Sequence, residues 1–195
     1  MERIARIERK TKETDIVITV NLDGSGKANV SSGIGFFDHM LEGLAKHGFL
    51  DIELTVKGDL SVDGHHSVED TGIVLGEAIR TALGAKKGIK RYGQFILPMD
   101  EALALCAVDL GGRPYLGFDV TFGGDSVGEM KTELVREFFY AVSYAAGMNL
   151  HIKLLSGQND HHIIEAVFKA FAKALSEASA YDLRVDGVLS TKGVI

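Results

Sequence analysis

One cysteine, Cys106, is all the chain has, so no internal disulfide can staple it. Its place in the apolar run from Ala102 to Leu110 makes it a buried strand thiol of a reducing compartment. Positive charge is also scarce: Lys and Arg number 21 against 27 Asp and Glu, for a net charge of -6. That balance speaks against a nucleic-acid partner, which needs a basic face for the phosphate backbone. It does not exclude a small anionic substrate, because a pocket needs only a few local cations. No apolar run approaches membrane length. The start, Met1-Glu2-Arg3-Ile4-Ala5-Arg6, lacks the apolar stretch of a signal peptide. A cytoplasmic protein with no membrane partner is expected. The glycine pairs Gly24/Gly26, Gly111/Gly112 and Gly123/Gly124 lack nucleotide-binding spacing and read as hairpin turns.

What is present is a normal globular balance, 46% hydrophobic and 25% charged over 195 residues, enough for one sizeable core. The order of elements repeats. Residues 4–9, 14–20 and 27–30 have strand composition, the third pairing back on the second. Helical spacing follows over 36–46, a strand over 50–56, and a helix over 67–83 that stops at Gly84. The second half repeats this with strands at 94–97, 102–108 and 115–122, a helix at 132–146, a strand at 150–155 and a helix at 163–178. The expectation is an α+β fold of internally duplicated βββαβα modules, each sheet packed on one layer of helices. Residues 1–86 form the first module and 87–195 the second plus a C-terminal tail, in one intimate structural unit. The aromatics Phe36, Phe37, Phe138, Phe139 and Phe168 read as core, and His47 and His151 as capping or core residues.

Four of the seven histidines form two adjacent pairs, and the pairs are copies. His65-His66-Ser67-Val68-Glu69 returns 96 residues later as His161-His162-Ile163-Ile164-Glu165. On a helix, positions i and i+4 share a face. His65 with Glu69, and His161 with Glu165, can each grip one metal ion. His66 and His162 point about a quarter-turn away, toward another site. Two facing copies then give two sites, His65/Glu69/His162 and His161/Glu165/His66, whether the second copy lies in the same chain or a neighbouring one. Aligning Asp38-His39-Met40-Leu41 with Arg136-Glu137-Phe138-Phe139 adds His39 to the second site and Glu137 to the first. Imidazole and carboxylate donors without thiolate suit manganese, iron, nickel or zinc. One such pair would be an ordinary surface feature; two copies with the same downstream carboxylate are not. The order is not the HExxH of zinc peptidases.

Several motifs together resemble the imidazoleglycerol-phosphate dehydratase family. They are Gly35-Phe36-Phe37-Asp38-His39-Met40-Leu41, Asp63-Gly64-His65-His66-Ser67-Val68-Glu69-Asp70 and Met99-Asp100-Glu101-Ala102-Leu103. To these add Asp109 with Gly112-Arg113-Pro114-Tyr115, Asn159-Asp160-His161-His162-Ile163-Ile164-Glu165-Ala166 with Phe168-Lys169-Ala170, and Ser190-Thr191-Lys192-Gly193. The likeness runs from about Arg6 to the end of the chain. It implies a manganese-dependent hydro-lyase of histidine biosynthesis, with two Mn2+ per active site and sites lying between subunits. The assembly it implies is a homo-oligomer of twenty-four subunits built from trimers. The implied reaction dehydrates D-erythro-imidazoleglycerol phosphate to imidazole acetol phosphate through a metal-bound imidazolate. The implied metal ligands are His39, His65, His66, Glu69, the position of Glu137, His161, His162 and Glu165. The implied catalytic residues are Glu13, as acid/base group, with His65, Glu69, His161 and Glu165. Substrate contacts fall on Glu13, Arg91, Arg113, Lys169, Ser190, Thr191 and Lys192. The chain departs from the family pattern twice: Glu137 stands where histidine is common, and Ser-Thr-Lys where Ser-Ser-Lys is usual. The residues by themselves also admit a metal-dependent phosphohydrolase, or a protein whose ions only join subunits.

Overall fold

The computed structural model describes residues 2–195. The first half runs β1 (Ile4–Lys10), β2 (Thr14–Asn21), β3 (Ala28–Ser31), α1 (Gly35–Gly48), β4 (Asp51–Gly58) and α2 (His65–Leu83). The second runs β5 (Tyr92–Met99), β6 (Ala102–Asp109), β7 (Tyr115–Asp119), β8 (Ser126–Val127), β9 (Met130–Lys131), α3 (Glu133–Ala146), β10 (Asn149–Ser156) and α4 (Asp160–Ser179). Two sheets form, ordered β1-β2-β4-β3 and β5-β6-β10-β7, and the match between them is the duplication expected from the sequence. The short β8–β9 hairpin is an addition peculiar to the second half.

Period-two patterning decides the sheet faces. Thr14, Ile16, Ile18 and Val20 of β2 are buried, and their counterparts in β6 are Ala102, Ala104, Cys106 and Val108. Cys106 is thus the buried strand thiol, its pKa pushed up by burial.

One expected pairing is corrected. The strand near residues 27–30 does not turn back on β2; β3 pairs parallel with β4, from Ala28↔Ile52 to Ser31↔Thr55. The reason is occupancy: β2 already has β1 on one edge and β4 on the other. α1 then serves as the crossover that parallel strands require. β7 likewise pairs parallel with β10, with α3 between them. The Gly24/Gly26 and Gly111/Gly112 segments are therefore crossing loops rather than hairpin turns. At Gly24 a Cβ would stand 2.3 Å from the Asp51 backbone nitrogen, so only glycine lets this loop reach β4.

The halves meet through their helices. α2 lies on β1 and β2, and α4 on β5 and β6, while α1 packs against α4 and α2 against α3. Phe37, Phe138, Phe139, Phe168 and Phe171 are fully buried there, with ring centroids 5.3 Å apart for Phe37–Phe138 and 5.2 Å for Phe138–Phe168. Phe36 is the exception to the aromatic-core expectation: it is half-buried, its ring centroid 5.0 Å from that of His161 in an edge-on arrangement. The tail is tied down: Gly88 N donates to Gly187 O at 2.7 Å, and Arg91 Nη1 to Leu189 O at 2.7 Å. No helix among the described residues is long and apolar enough to cross a membrane.

Candidate metal and anion sites

Both histidine pairs sit in the first turn of a helix, two residues before the start that periodicity suggests. Asn159 caps α4, its Oδ1 accepting from His161 N at 2.9 Å; ahead of α2, whose cap residue is Gly64, Asp63 Oδ1 accepts from His65 N at 2.8 Å. The i,i+4 pairing follows. His65 Nε2 lies 3.5 Å from Glu69 Oε2, and His161 Nε2 lies 3.4 Å from Glu165 Oε2.

The α1–α4 contact brings a third donor to the second pair. His39 lies with its ring 6.0 Å from that of His161, and one donor atom each from His39, His161 and Glu165 falls within 4.8 Å of the others. Among the described residues no other group of three or more such donors is gathered. Glu137 sits on α3, which packs on α2 as α1 packs on α4, but its Oε1 is taken by Arg136 Nη1 at 3.0 Å. One chain thus gathers three such donors at the start of α4 and a His–Glu pair at the start of α2.

The second histidines face elsewhere. The His66 ring nitrogen Nδ1 lies 3.1 Å from both oxygens of Asp59, and its Nε2 is 3.7 Å from Glu13. His162 Nδ1 lies 2.7 Å from Glu101 Oε2, and its Nε2 is 3.7 Å from Asp100. The Asp59 hydrogen bond raises the pKa of His66, and that to Glu101 raises His162. The His162 bond in turn holds Glu101 down to about 2. Asp59 and Glu101 are the residues that sequence reasoning passed over. Glu101 stood inside a quoted motif without a role; for Asp59 the only signal was a carboxylate immediately after a strand.

Burial would raise the pKa of Glu165, but the Lys169 hydrogen bond and charge outweigh it and hold the carboxyl low. Lys169 Nζ stands 2.6 Å from Glu165 Oε1 and so belongs to the histidine cluster, apart from the other cations. Those gather at the tail. Arg91, Ser190 and Thr191 line a cavity of about 610 Å³ with Arg184, and Arg113, Lys192 and Ile195 join the first three around an adjoining one of about 390 Å³. Arg91 sits at φ 68, in the left-handed region. Its Nε and Nη2 donate to Asp109 at 2.7 and 3.1 Å, a contact that raises its pKa. Ser190 Oγ accepts from Lys192 N at 3.2 Å. Two expected roles are revised. The Gly123/Gly124 pair is no hairpin turn: its N–H groups donate to the two oxygens of Asp160 at 2.9 and 2.7 Å, pinning a loop to the start of α4. His47 is half-buried, its pKa lowered first by desolvation and then by Lys169, while His151 is exposed with its ring 5.4 Å from Tyr115.

The class defined by this fold is a duplicated α+β chain with an imidazole–carboxylate cluster at a helix start and a separate cation-lined pocket at the tail. Comparison with known proteins narrows it. Residues 32–175 match the family model for imidazoleglycerol-phosphate dehydratase. The chain is 64% identical over 195 residues to the imidazoleglycerol-phosphate dehydratase of Lachnoclostridium phytofermentans, covering all of both chains. It is 58% identical to that of Acetivibrio thermocellus, again over the whole of both. The crystal structure of the Staphylococcus aureus enzyme superposes with a TM-score of 0.84 at 39% identity, covering 92% of this chain and 99% of that one. The chain belongs to the imidazoleglycerol-phosphate dehydratase family, whose members are dehydratases of histidine biosynthesis.

Proposed function

We propose that the chain dehydrates D-erythro-imidazoleglycerol phosphate to imidazole acetol phosphate and water in the cytoplasm. It does so as a homo-oligomer of twenty-four subunits with two Mn2+ per active site. The observation that carries this reading is the His39, His161 and Glu165 trio, mirrored in part by His65 and Glu69 at the start of α2. The donor chemistry fits manganese: imidazole and carboxylate only, with Cys106 buried in β6. The ligands are His161, Glu165, His39 and His66 for one ion, and His65, Glu69, His162 and Glu137 for the other. To take the last role Glu137 must exchange its bond to Arg136. Because the second donor set is only half assembled within one chain, α2 of one subunit faces α4 of another.

When bound, the ions supply Lewis acidity to the nitrogens of the substrate's imidazole ring, lowering its pKa. Glu13 takes the proton from the glycerol carbon that becomes the ketone. Glu13 passes that proton to the hydroxyl on the neighbouring carbon, which leaves as water, and the enol so formed ketonises. Arg91, Arg113, Ser190, Thr191 and Lys192 hold the phosphate, for which arginine forks are well shaped. Lys169 offers a further cation beside Glu165. The test is product formation from imidazoleglycerol phosphate after chelation and again after adding manganese. A ketone product that returns only with manganese is expected; no turnover from folded, assembled, metal-loaded protein would overturn the reading.

A further inference from the structure

The histidine pairs are duplicated, but the carboxylates behind them are not. In the first half Asp59, which follows β4, holds His66 Nδ1 at 3.1 Å. The equivalent place after β10 is Gly157, where a Cβ would stand 2.7 Å from Ile163 Cγ1 and 3.2 Å from the Ala102 Cβ. The second half has no room for a side chain there. Its carboxylate comes instead from Glu101, the residue before β6, which reaches His162 Nδ1 at 2.7 Å. The residue before β2 is Glu13, and its carboxylate lies 3.7 Å from the other nitrogen of His66. Two unrelated positions therefore converge on one arrangement: Nδ1 of the second histidine bound to a carboxylate.

An ionised carboxylate only accepts hydrogen bonds, so Nδ1 keeps its proton and, in the neutral ring that can bind a metal ion, Nε2 carries the lone pair. We propose that Asp59 and Glu101 are positioning residues that fix the tautomer and ring direction of His66 and His162, each presenting Nε2 to a divalent metal ion. The inference rests on the metal reading above. It also explains the division of labour in the first half: because Asp59 holds His66, Glu13 is free to face substrate.

The test compares metal-stripped wild type with Asp59→Ala and Glu101→Gln by manganese titration, reading free Mn2+ from its electron paramagnetic resonance signal. The Gln variant keeps the shape of Glu101 and its acceptor for the backbone N–H groups of Gln158 and Asn159, which stand 3.2 and 2.8 Å from Oε1. It places an NH2 donor against Nδ1, which moves the ring proton to Nε2. Each single variant is expected to bind one ion as wild type does and the other about 10–100-fold more weakly, and the double variant to weaken both. Melting temperatures of the metal-free proteins should stay within a few degrees of wild type. Unchanged manganese affinity in both variants, with or without lost stability, overturns the positioning roles and leaves the metal reading intact. Wild type that binds no manganese overturns the metal reading and these roles with it. Should Asp59→Ala not fold, Asp59→Asn carries the same expectation with a smaller loss.

Discussion

Glu13 is exposed at the tip of the β1–β2 hairpin, with its carboxylate 3.7 Å from His66 Nε2. A group in that place can move a proton for whatever His66 helps to bind. Glu13→Gln is therefore expected to lower kcat by about 10²–10⁴-fold with KM and metal content little changed. Steady-state kinetics beside metal analysis decides it; a loss confined to KM would mean that Glu13 only binds. His161→Ala and His65→Ala should each abolish turnover and lower metal content. Wild-type metal and rate in either would sink the ligand assignment. At this scale the two His–Glu pairs were legible because each repeats with a helical period, whereas His39 came only from aligning one half of the chain with the other. Asp59 and Glu101 were not legible, because their sequence distances to the rings they hold, 7 and 61 residues, share no period.

At the scale of elements, the α2–α3 crossing depends on Gly72 and Gly76. A Cβ at Gly72 would stand 2.8 Å from both the Ala141 Cβ and the Phe138 carbonyl oxygen. Alanine is intrinsically better in a helix by about 1 kcal/mol, but backbone on the far side cannot move away cheaply. Gly72→Ala should cost about 1–3 kcal/mol net and lower the melting temperature. Gly43 in α1 has nothing within 4 Å of its Cβ site, so Gly43→Ala should instead stabilise by about 0.5–1 kcal/mol. Asp51 ties the β2–β3 loop to β4, and the N–H groups of Lys27 and Ser25 hold its pKa below the ordinary value. A depressed pKa adds stability above the unfolded value, near 4, and loses it as pH falls through the folded one. The gap in melting temperature between wild type and Asp51→Asn should be full at about pH 6 and close as pH drops below about 4.

At the scale of the molecule, the proposal that subunits share a site makes a prediction that no single chain can satisfy. If α2 of one subunit faces α4 of another, a variant dead in α2 (His65→Ala) and one dead in α4 (His161→Ala) complement each other. Mixed after dissociation and reassembled with manganese, they should regain activity in about a quarter of the sites. Two variants that stay inactive together, though assembled, would place each site within one subunit.

The sequence by itself determined the alternation that makes the strands, the 96-residue repeat, and the helical spacing that sets each first histidine over its glutamate, because these are local periods. Tertiary structure alone decided the parallel place of β3, since a strand's free edge depends on which neighbours have taken it. It alone decided that the α1–α4 contact delivers His39 to His161 and Glu165. It alone set Asp59 and Glu101 behind the second histidines, because the room for a side chain at Gly157 is settled by packing between elements far apart in the chain.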